Sequence, residues 1–214
     1  MQERIFQALE AFSGVYSGWI LWNLFLAFIP LALSLWLFRR KQIKTRSLLW
    51  WLIFVVFVAF LPNAPYMLTD IIHLIRGTRA GYAIWLIALI FIPLHLVAIL
   101  GGFEAYVISL INQGNYLKRQ RAGQFVLWSE LAAHALCAIG IYLGRFIRFN
   151  SWDLVTDPRD VLTTTVNTLT SRQPVLIMVV TFIILAVFYW VMKQLTLGVY
   201  LRIQYARMGR DVPD

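Results

Sequence analysis

Two distant segments of the chain carry polar residues at helical spacing. After Phe60, a polar stripe recurs at intervals of three and four residues, which corresponds to one face of a helix; its members are Tyr66, Thr69, Asp70, His73 and Arg76. A second stripe runs through the apolar stretch 125–149, where at about 100° per residue six side chains fall within about 80° of one another. They are Glu130, His134, Cys137, Ile141, Arg145 and Arg148. Acid, imidazole and guanidinium groups so arranged can pair, bind an anion or transfer protons.

We expect the two stripes to meet in one polar site. The expected members are Asn63, Tyr66, Asp70 and His73 on one side and Arg145, Arg148, Asn150 and Asp153 on the other. Charges within apolar spans are costly, so they pair or face a cavity. One interpretation is an ion pair that fastens two helices. The other is a ligand site in which the two arginines clamp a phosphate or carboxylate, and Asp70 and His73 act as acid and base.

A second polar group lies at the opposite end of the same helices. Glu104 is seven residues before the end of the stretch 82–111, and Glu130 is five residues after the start of 125–149. Both are therefore at a similar depth, about 8–10 Å from the edge, with His134 one turn beyond Glu130. Two carboxylates and an imidazole could bind a divalent metal, relay protons or form a hydrogen-bonded brace. The spacing lacks a metal-binding motif, which favours the brace, and we predict neither a metal nor a cofactor.

The composition defines the elements that must position these groups. Hydrophobic residues make up 60% of the 214 residues and charged residues 14%, whereas soluble proteins have about 45–50% and 25%. Five apolar stretches explain the difference: 19–38, 47–61, 82–111, 125–149 and 175–200. Without the alternation of barrel strands, they predict an all-α fold, a polytopic transmembrane helical bundle of five spans forming a single integral membrane domain, 1–214.

The second stretch is interrupted by prolines. Residues 47–61 number fifteen, which gives about 22 Å of helix against a hydrocarbon thickness of roughly 30 Å. Proline removes a backbone donor and disfavours helical geometry in the residue before it. We therefore predict that the second span is broken at Pro62-Pro65, where irregular backbone must be buried in protein or line a wet cavity.

The distribution of basic residues predicts the orientation. Three clusters hold twelve of the nineteen Lys and Arg residues: five in 39–46, then Lys118, Arg119 and Arg121, then Lys193, Arg202, Arg207 and Arg210. Five spans place all three clusters on one side, which the positive-inside rule assigns to the cytoplasm. The N-terminus and the polar site then lie outside. The net charge of +9 therefore reflects topology, and we predict no nucleic-acid partner.

The long external segment predicts a short interfacial helix. Asp157 and Pro158 have the residue types of an N-cap and a first helical position. The residues that follow on one face are Val161, Leu162, Thr165, Val166 and Leu169. This pattern is typical of a helix lying on the outer membrane surface.

Three motifs indicate a family. The segments FLPNAPYMLTD (60–70) and GRFIRFNSWD (144–153), with WNLFLAFIPL (22–31), resemble a family of bacterial integral membrane proteins known as a domain of unknown function. The resemblance covers most of the chain. It implies a polytopic helical fold in the bacterial cytoplasmic (inner) membrane, or in another bacterial internal membrane. It implies no activity and assigns no catalytic residue.

Three functions fit these observations. The first is a membrane protein, with or without catalysis, whose arginine-containing site near the outer (periplasmic) face binds an amphipathic anionic ligand such as a lipid. The second is a non-catalytic subunit or assembly factor whose polar stripes brace helices. The third is a small transporter acting as an oligomer. Membrane lipids are the expected partners, with other membrane-protein subunits or a second copy of the chain under the last two.

Overall fold

The fold is a bundle of long helices. The structure, a computed structural model, describes residues 19–39 and 47–209; residues 40–46 and Arg210 of the basic clusters lie outside that range. Every regular element in the described ranges is a helix, and five are long and apolar enough to cross a membrane. They are the first span Ile20–Arg39, the second Leu48–Arg79, the third Ile84–Arg119, the fourth Gly123–Ile147 and the fifth Arg172–Arg207. This confirms the predicted all-helical, five-span class, while the orientation stays a prediction.

Several spans change helix type along their length. The first begins at Trp19, and the fifth is one continuous helix. The second consists of Leu48–Phe60, Asn63–Tyr66, a 3-10 turn Met67–Asp70 and Ile71–Arg79. The third consists of Ile84–Leu86, a π-helical turn Ile87–Phe91 and Ile92–Arg119. The fourth consists of a 3-10 turn Gly123–Phe125, Val126–Tyr142 and a π-helical turn Leu143–Ile147.

Two short helices, Asp153–Thr156 and Pro158–Leu169, connect the fourth span to the fifth. The side chain of Asp157 accepts a hydrogen bond from the backbone N–H of Asp160 at 3.2 Å. Asp157 is thus the N-cap and Pro158 the first helical residue, as predicted. Val161 is buried on this helix, whereas Leu162 and Leu169 are exposed.

The prolines of the second span lie in a junction, which we define as residues 61–70. Regular α-helix ends at Phe60, yet the dihedral angles of Leu61 and Pro62 remain right-handed and helical. The N–H of Tyr66 donates to the carbonyl oxygen of Pro62 at 3.1 Å. Helical structure therefore continues past Leu61, where the sequence predicted the stretch to end, and reaches Arg79. The predicted break of the span within lipid stays a prediction.

Polar contacts fasten the first span to the third. The side-chain amide of Asn112 donates to the Ser34 hydroxyl at 2.9 Å, and Arg39 donates to Asn112 Oδ1 at 2.9 Å. The guanidinium of Arg119 donates to the carbonyl oxygen of Phe38. The basic ends of these two spans therefore lie at the same end of the bundle, as the topology argument requires.

The junction packs against glycines on the third and fourth spans. A Cβ atom added to Gly102 would overlap Met67 Cγ, and one added to Gly140 would lie 2.7 Å from Pro62 Cβ. Only a residue without a side chain allows the junction to approach this closely. The glycines thus seat residues 61–70 between two spans.

We expect Gly102→Ala to lower the free energy of unfolding by about 1–3 kcal/mol, because the new methyl group overpacks against Met67. Its neighbour provides the control, since a Cβ on Gly101 meets nothing within 4 Å. Gly101→Ala should be neutral or stabilising by up to about 1 kcal/mol through helix propensity. Reversible unfolding in detergent micelles measures both, and equal effects would contradict the packing described.

Candidate functional site

A buried carboxylate joins three parts of the bundle. Asp70, at the end of the junction, is 1% exposed. Its Oδ2 accepts a hydrogen bond from the side-chain amide of Asn23 in the first span at 2.9 Å. Its Oδ1 lies 3.8 Å from Arg145 NH1 in the fourth span and 4.0 Å from His73 Nε2. The structure thus brings together Asp70, His73 and Arg145 from the two predicted stripes.

The guanidinium of Arg145 is held at several points. It donates to the carbonyl oxygen of Thr69 at 2.6 Å and to the Tyr66 hydroxyl at 3.4 Å. Its central carbon lies 5.6 Å from the centre of the Tyr66 ring, within cation–π distance. The Thr69 carbonyl also accepts the backbone N–H of Ile71 at the end of the 3-10 turn, so Arg145 uses the second lone pair of this oxygen. Arg145 therefore binds the junction of its own chain.

A cavity of about 560 Å³ lies beside this ion pair, between the first, second and fourth spans and the loop after the fourth. One end is polar and is lined by Asn23, Asn63, Tyr66, Arg148, Asn150 and Ser151. The remaining lining is mainly apolar and includes Leu26, Val55, Val58, Ala59, Leu136, Ile139 and Leu143. Of the described residues that line it, none is acidic. Asp70, His73 and Arg145 lie outside its lining.

Arg148 differs from Arg145 in its surroundings. The π-helical turn Leu143–Ile147 ends at Arg148, whose φ of +71° is left-handed. This change of direction takes Arg148 off the face that it would share with Arg145 on a regular helix. Its side chain is exposed, lines the polar end of the cavity and forms no hydrogen bond or ion pair with the described residues. Arg148 is therefore a cation available to a ligand.

The loop after the fourth span closes the polar end. The side-chain amide of Asn63 donates to the Ser151 hydroxyl at 2.8 Å. Asp153 Oδ2 accepts from the backbone N–H of Asn150 at 2.6 Å, so Asp153 stabilises the turn and contributes no side chain to the cavity lining. The rings of Trp22 and Trp152 lie 6.4 Å apart. These contacts fix the loop over the junction.

We expect Ser151→Ala to lower the free energy of unfolding by about 0.5–1.5 kcal/mol, because Asn63 loses its side-chain acceptor. Thermal unfolding in detergent measures the change. Thr170→Ala is the control, since the Thr170 hydroxyl bonds only to the nearby Asn167 carbonyl on the surface. A loss no larger than that of the control would show that this contact does not hold the loop.

At the other end of the bundle, Glu130 and His134 have separate partners. Glu130 Oε1 accepts from the Tyr189 hydroxyl at 2.8 Å and from Lys193 Nζ at 2.5 Å, both on the fifth span. His134 Nδ1 lies 2.6 Å from the hydroxyl oxygen of Tyr106. The sequence grouped Lys193 with the basic residues near the chain end, whereas the structure pairs it with Glu130.

Glu104 contacts the fifth span through a different residue. Its Oε1 lies 2.7 Å from the hydroxyl oxygen of Thr196. Its Oε2 is buried and has no hydrogen-bond partner among the described residues. Within residues 19–39 and 47–209, no group of three or more His, Cys, Asp and Glu side chains is placed to hold a metal ion. Glu104, Glu130 and His134 thus each connect to neighbouring helices separately.

Sequence reasoning missed several members of both groups. They are Asn23 and Ser151 at the cavity end and Tyr106, Tyr189 and Thr196 at the other end. Thr69 belongs to the predicted stripe, but the contact of its backbone carbonyl with Arg145 was not predicted. Asn23 carried a signal, because an amide within an otherwise apolar span needs a partner. The roles of Tyr189 and Thr196 depend on how the fifth span is rotated against the third and fourth, which no local pattern specifies.

Comparison with known proteins gives one match. Residues 22–187 match the family described as "Protein of unknown function (DUF1361)". The match covers all but the first two residues of the first span, the junction, the cavity and the first, smaller part of the fifth span. Neither the curated proteins nor the solved structures contain a match to the chain. Since the matched residues make up well over half of the sequence, the chain belongs to the DUF1361 family of proteins of unknown function.

Proposed function

We propose that the protein binds an amphipathic anionic lipid in the cavity between its first, second and fourth spans. The polar end receives the anionic headgroup at Arg148, with hydrogen bonds from Asn150 and Ser151, and Asn63 holds Ser151 in place. The apolar part receives an acyl or prenyl chain. The observation that carries the proposal is Arg148, an arginine that forms no ion pair with the described residues, in a cavity lined by no acidic described residue.

The shape of the cavity supports a chain-bearing ligand. Along the fourth span the lining extends from Leu143 to Leu136, which is roughly 10 Å of helix. Val55 is 63% exposed and Leu136 is 37% exposed, so the apolar part reaches the outer surface of the bundle. In a bilayer that surface faces lipid, and a lipid molecule can enter sideways. A ligand with a charged head and an apolar tail matches both ends.

The buried ion pair of Asp70 and Arg145 positions two residues of the cavity wall. Asn23 and Tyr66 line the cavity, and each is also bonded to the pair, Asn23 to Asp70 and Tyr66 to Arg145. Asp70 and Arg145 are therefore positioning residues for the cavity wall. In this proposal, Arg148 contacts the anion, and Arg145 supports the cavity wall.

The test compares an anionic lipid with a zwitterionic lipid. Purified protein is titrated with phosphatidylglycerol or phosphatidylcholine carrying identical chains, and binding is read by native mass spectrometry. We expect a preference for phosphatidylglycerol. Arg148→Gln should reduce phosphatidylglycerol affinity about tenfold, which corresponds to about 1.4 kcal/mol for one exposed charge-assisted contact, and leave phosphatidylcholine affinity unchanged.

Two variants make the test specific. Arg159→Gln removes an exposed arginine from the nearby surface helix, outside the cavity, and should leave the preference intact. Ala59→Trp fills the apolar part and should weaken both lipids. An unchanged headgroup preference in Arg148→Gln, in a folded protein, would overturn the proposal.

A second candidate rests on the intrachain pairing of the polar stripes. Asp70 with Arg145, and Glu130 with Lys193, both connect helices of the same chain. Such contacts suit a non-catalytic membrane subunit whose polar groups hold its own bundle in shape. On this proposal, gentle solubilisation recovers the protein with other membrane proteins, and Arg148→Gln does not alter its lipid preference.

A further inference from the structure

Glu104 and Glu130 are carboxyl groups in contact with the same helix, but their hydrogen bonds differ. One oxygen of Glu130 has two donors, the Tyr189 hydroxyl and the Lys193 ammonium. Among the described residues, Glu104 has one polar contact, with Thr196, and its buried second oxygen has no partner. The surroundings of Glu130 are those of an ionised carboxylate. The surroundings of Glu104 are not.

The Thr196 hydroxyl lies within hydrogen-bond distance of two oxygen atoms. Its oxygen lies 2.7 Å from Glu104 Oε1 and 2.8 Å from the carbonyl oxygen of Met192. A threonine hydroxyl has one hydrogen to donate, and a carbonyl oxygen can only accept. When Thr196 donates to Met192, the hydrogen between Thr196 and Glu104 must come from Glu104. We infer that Glu104 is a protonated carboxylic acid and forms a proton-binding site between the third and fifth spans.

The charged groups on the helices around Glu104 form contacts with other residues. On the fifth span, Lys193 lies one turn before Thr196, and its ammonium binds Glu130. On the fourth span, Glu130 takes that ammonium, and His134 contacts Tyr106 of the third span. The first span meets the third through Ser34, Arg39 and Asn112, nearer the end of the third span. Among the described residues, Glu104 forms no ion pair.

Protonation of Glu104 also lowers the energetic cost of burying Oε2 without a partner. In the neutral acid, Oε1 carries the hydrogen and Oε2 is a carbonyl oxygen, whose burial without a donor costs about 1–3 kcal/mol. In the ionised form the same site would bury a negative charge with at most one hydroxyl donor, which costs several kcal/mol more. Loss of the proton would place this charge between the two spans, so proton binding at Glu104 and packing of the fifth span are coupled.

Infrared spectroscopy tests the inference directly. The protein and Glu104→Gln are compared in lipid bilayers at neutral pH in the carbonyl stretching region of protonated carboxylic acids. We expect one acid band that is absent from Glu104→Gln and retained in Glu130→Gln. Thr196→Val keeps the acid but removes its hydrogen-bond acceptor, so the band should remain and move to higher frequency.

A chemical probe gives a second measurement. Dicyclohexylcarbodiimide reacts with protonated carboxyl groups: the acid proton moves to a carbodiimide nitrogen while the carboxyl oxygen adds to the central carbon. Migration of the acyl group to nitrogen then gives a stable N-acylurea, which retains all atoms of both reactants. Peptide mass spectrometry should find this adduct at Glu104 and not at Glu130, with a rate that falls as pH rises.

The infrared result decides the inference. Identical spectra of the protein and Glu104→Gln in the acid region would overturn it, whatever the labelling shows. An unshifted band in Thr196→Val would overturn the assigned hydrogen bond. Adduct formation at Glu130 at the same rate as at Glu104 would also contradict the difference in protonation. All three measurements are independent of lipid binding at Arg148.

Discussion

Arg145→Met is expected to lower the free energy of unfolding by about 3–5 kcal/mol, the usual cost of removing one partner of a buried ion pair. Asp70 would remain almost fully buried and would keep the Asn23 amide as a hydrogen-bond donor, but it would lose the guanidinium charge. The Thr69 carbonyl and the Tyr66 hydroxyl would lose their contacts with the guanidinium as well. Reversible unfolding in mixed detergent and dodecyl sulfate micelles, followed by circular dichroism, measures the loss.

A double-mutant cycle identifies the cause of that loss. Asp70→Asn removes the negative charge, so adding it to Arg145→Met should recover part of the lost stability. Arg148→Gln removes a neighbouring arginine that has no intrachain partner among the described residues, and it should cost less than about 0.5 kcal/mol. If Arg145→Met were no more harmful than Arg148→Gln, Asp70 and Arg145 would not fasten the bundle.

At the other end of the bundle, Lys193→Met is expected to lower the free energy of unfolding by a similar amount, about 3–5 kcal/mol. Glu130 is 8% exposed, so without the ammonium its charge would be buried with only the Tyr189 hydroxyl as donor. The same micelle unfolding assay measures the change. Combining Lys193→Met with Glu130→Gln should restore stability, because the uncompensated charge is then absent.

Glu104→Gln is the matched control for this prediction. A glutamine amide can donate to Thr196 as the protonated acid does, so we expect a change of less than about 1 kcal/mol. A large loss in Glu104→Gln together with a small loss in Lys193→Met would reverse our assignment of the neutral and the charged carboxyl groups.

The sequence predicted the helices well because their cause is local. A run of apolar residues long enough to cross a bilayer can satisfy its backbone there only as a helix or in a barrel. The meeting of Asp70 with Arg145 followed from similar reasoning, since charges in lipid need partners. Helical spacing and depth placed Asp70 level with both Arg145 and Arg148, and the structure selects Arg145.

The details of the site depended on departures from a regular helix. A constant angle of 100° per residue placed Arg145 and Arg148 on one face. The π-helical turn Leu143–Ile147 and the left-handed Arg148 separate them, so one arginine binds the junction and the other lines the cavity. Helix type in this region is set by packing against the junction, where a Cβ atom added to Gly144 would lie 3.3 Å from the Tyr66 ring. Such contacts are invisible in a single sequence.

The first span holds the bundle near both of its ends, through Asn23 at Asp70 and through Ser34 and Arg39 at Asn112. The first span therefore contributes specific side-chain contacts that hydrophobicity alone would not provide. Exchanging it for a generic signal anchor of equal length should give a chain that is still inserted, but with orphaned polar groups on its partner helices. Membrane quality-control proteases would recognise such a chain. Fusion strategies for producing this protein should therefore leave residues 19–39 unchanged.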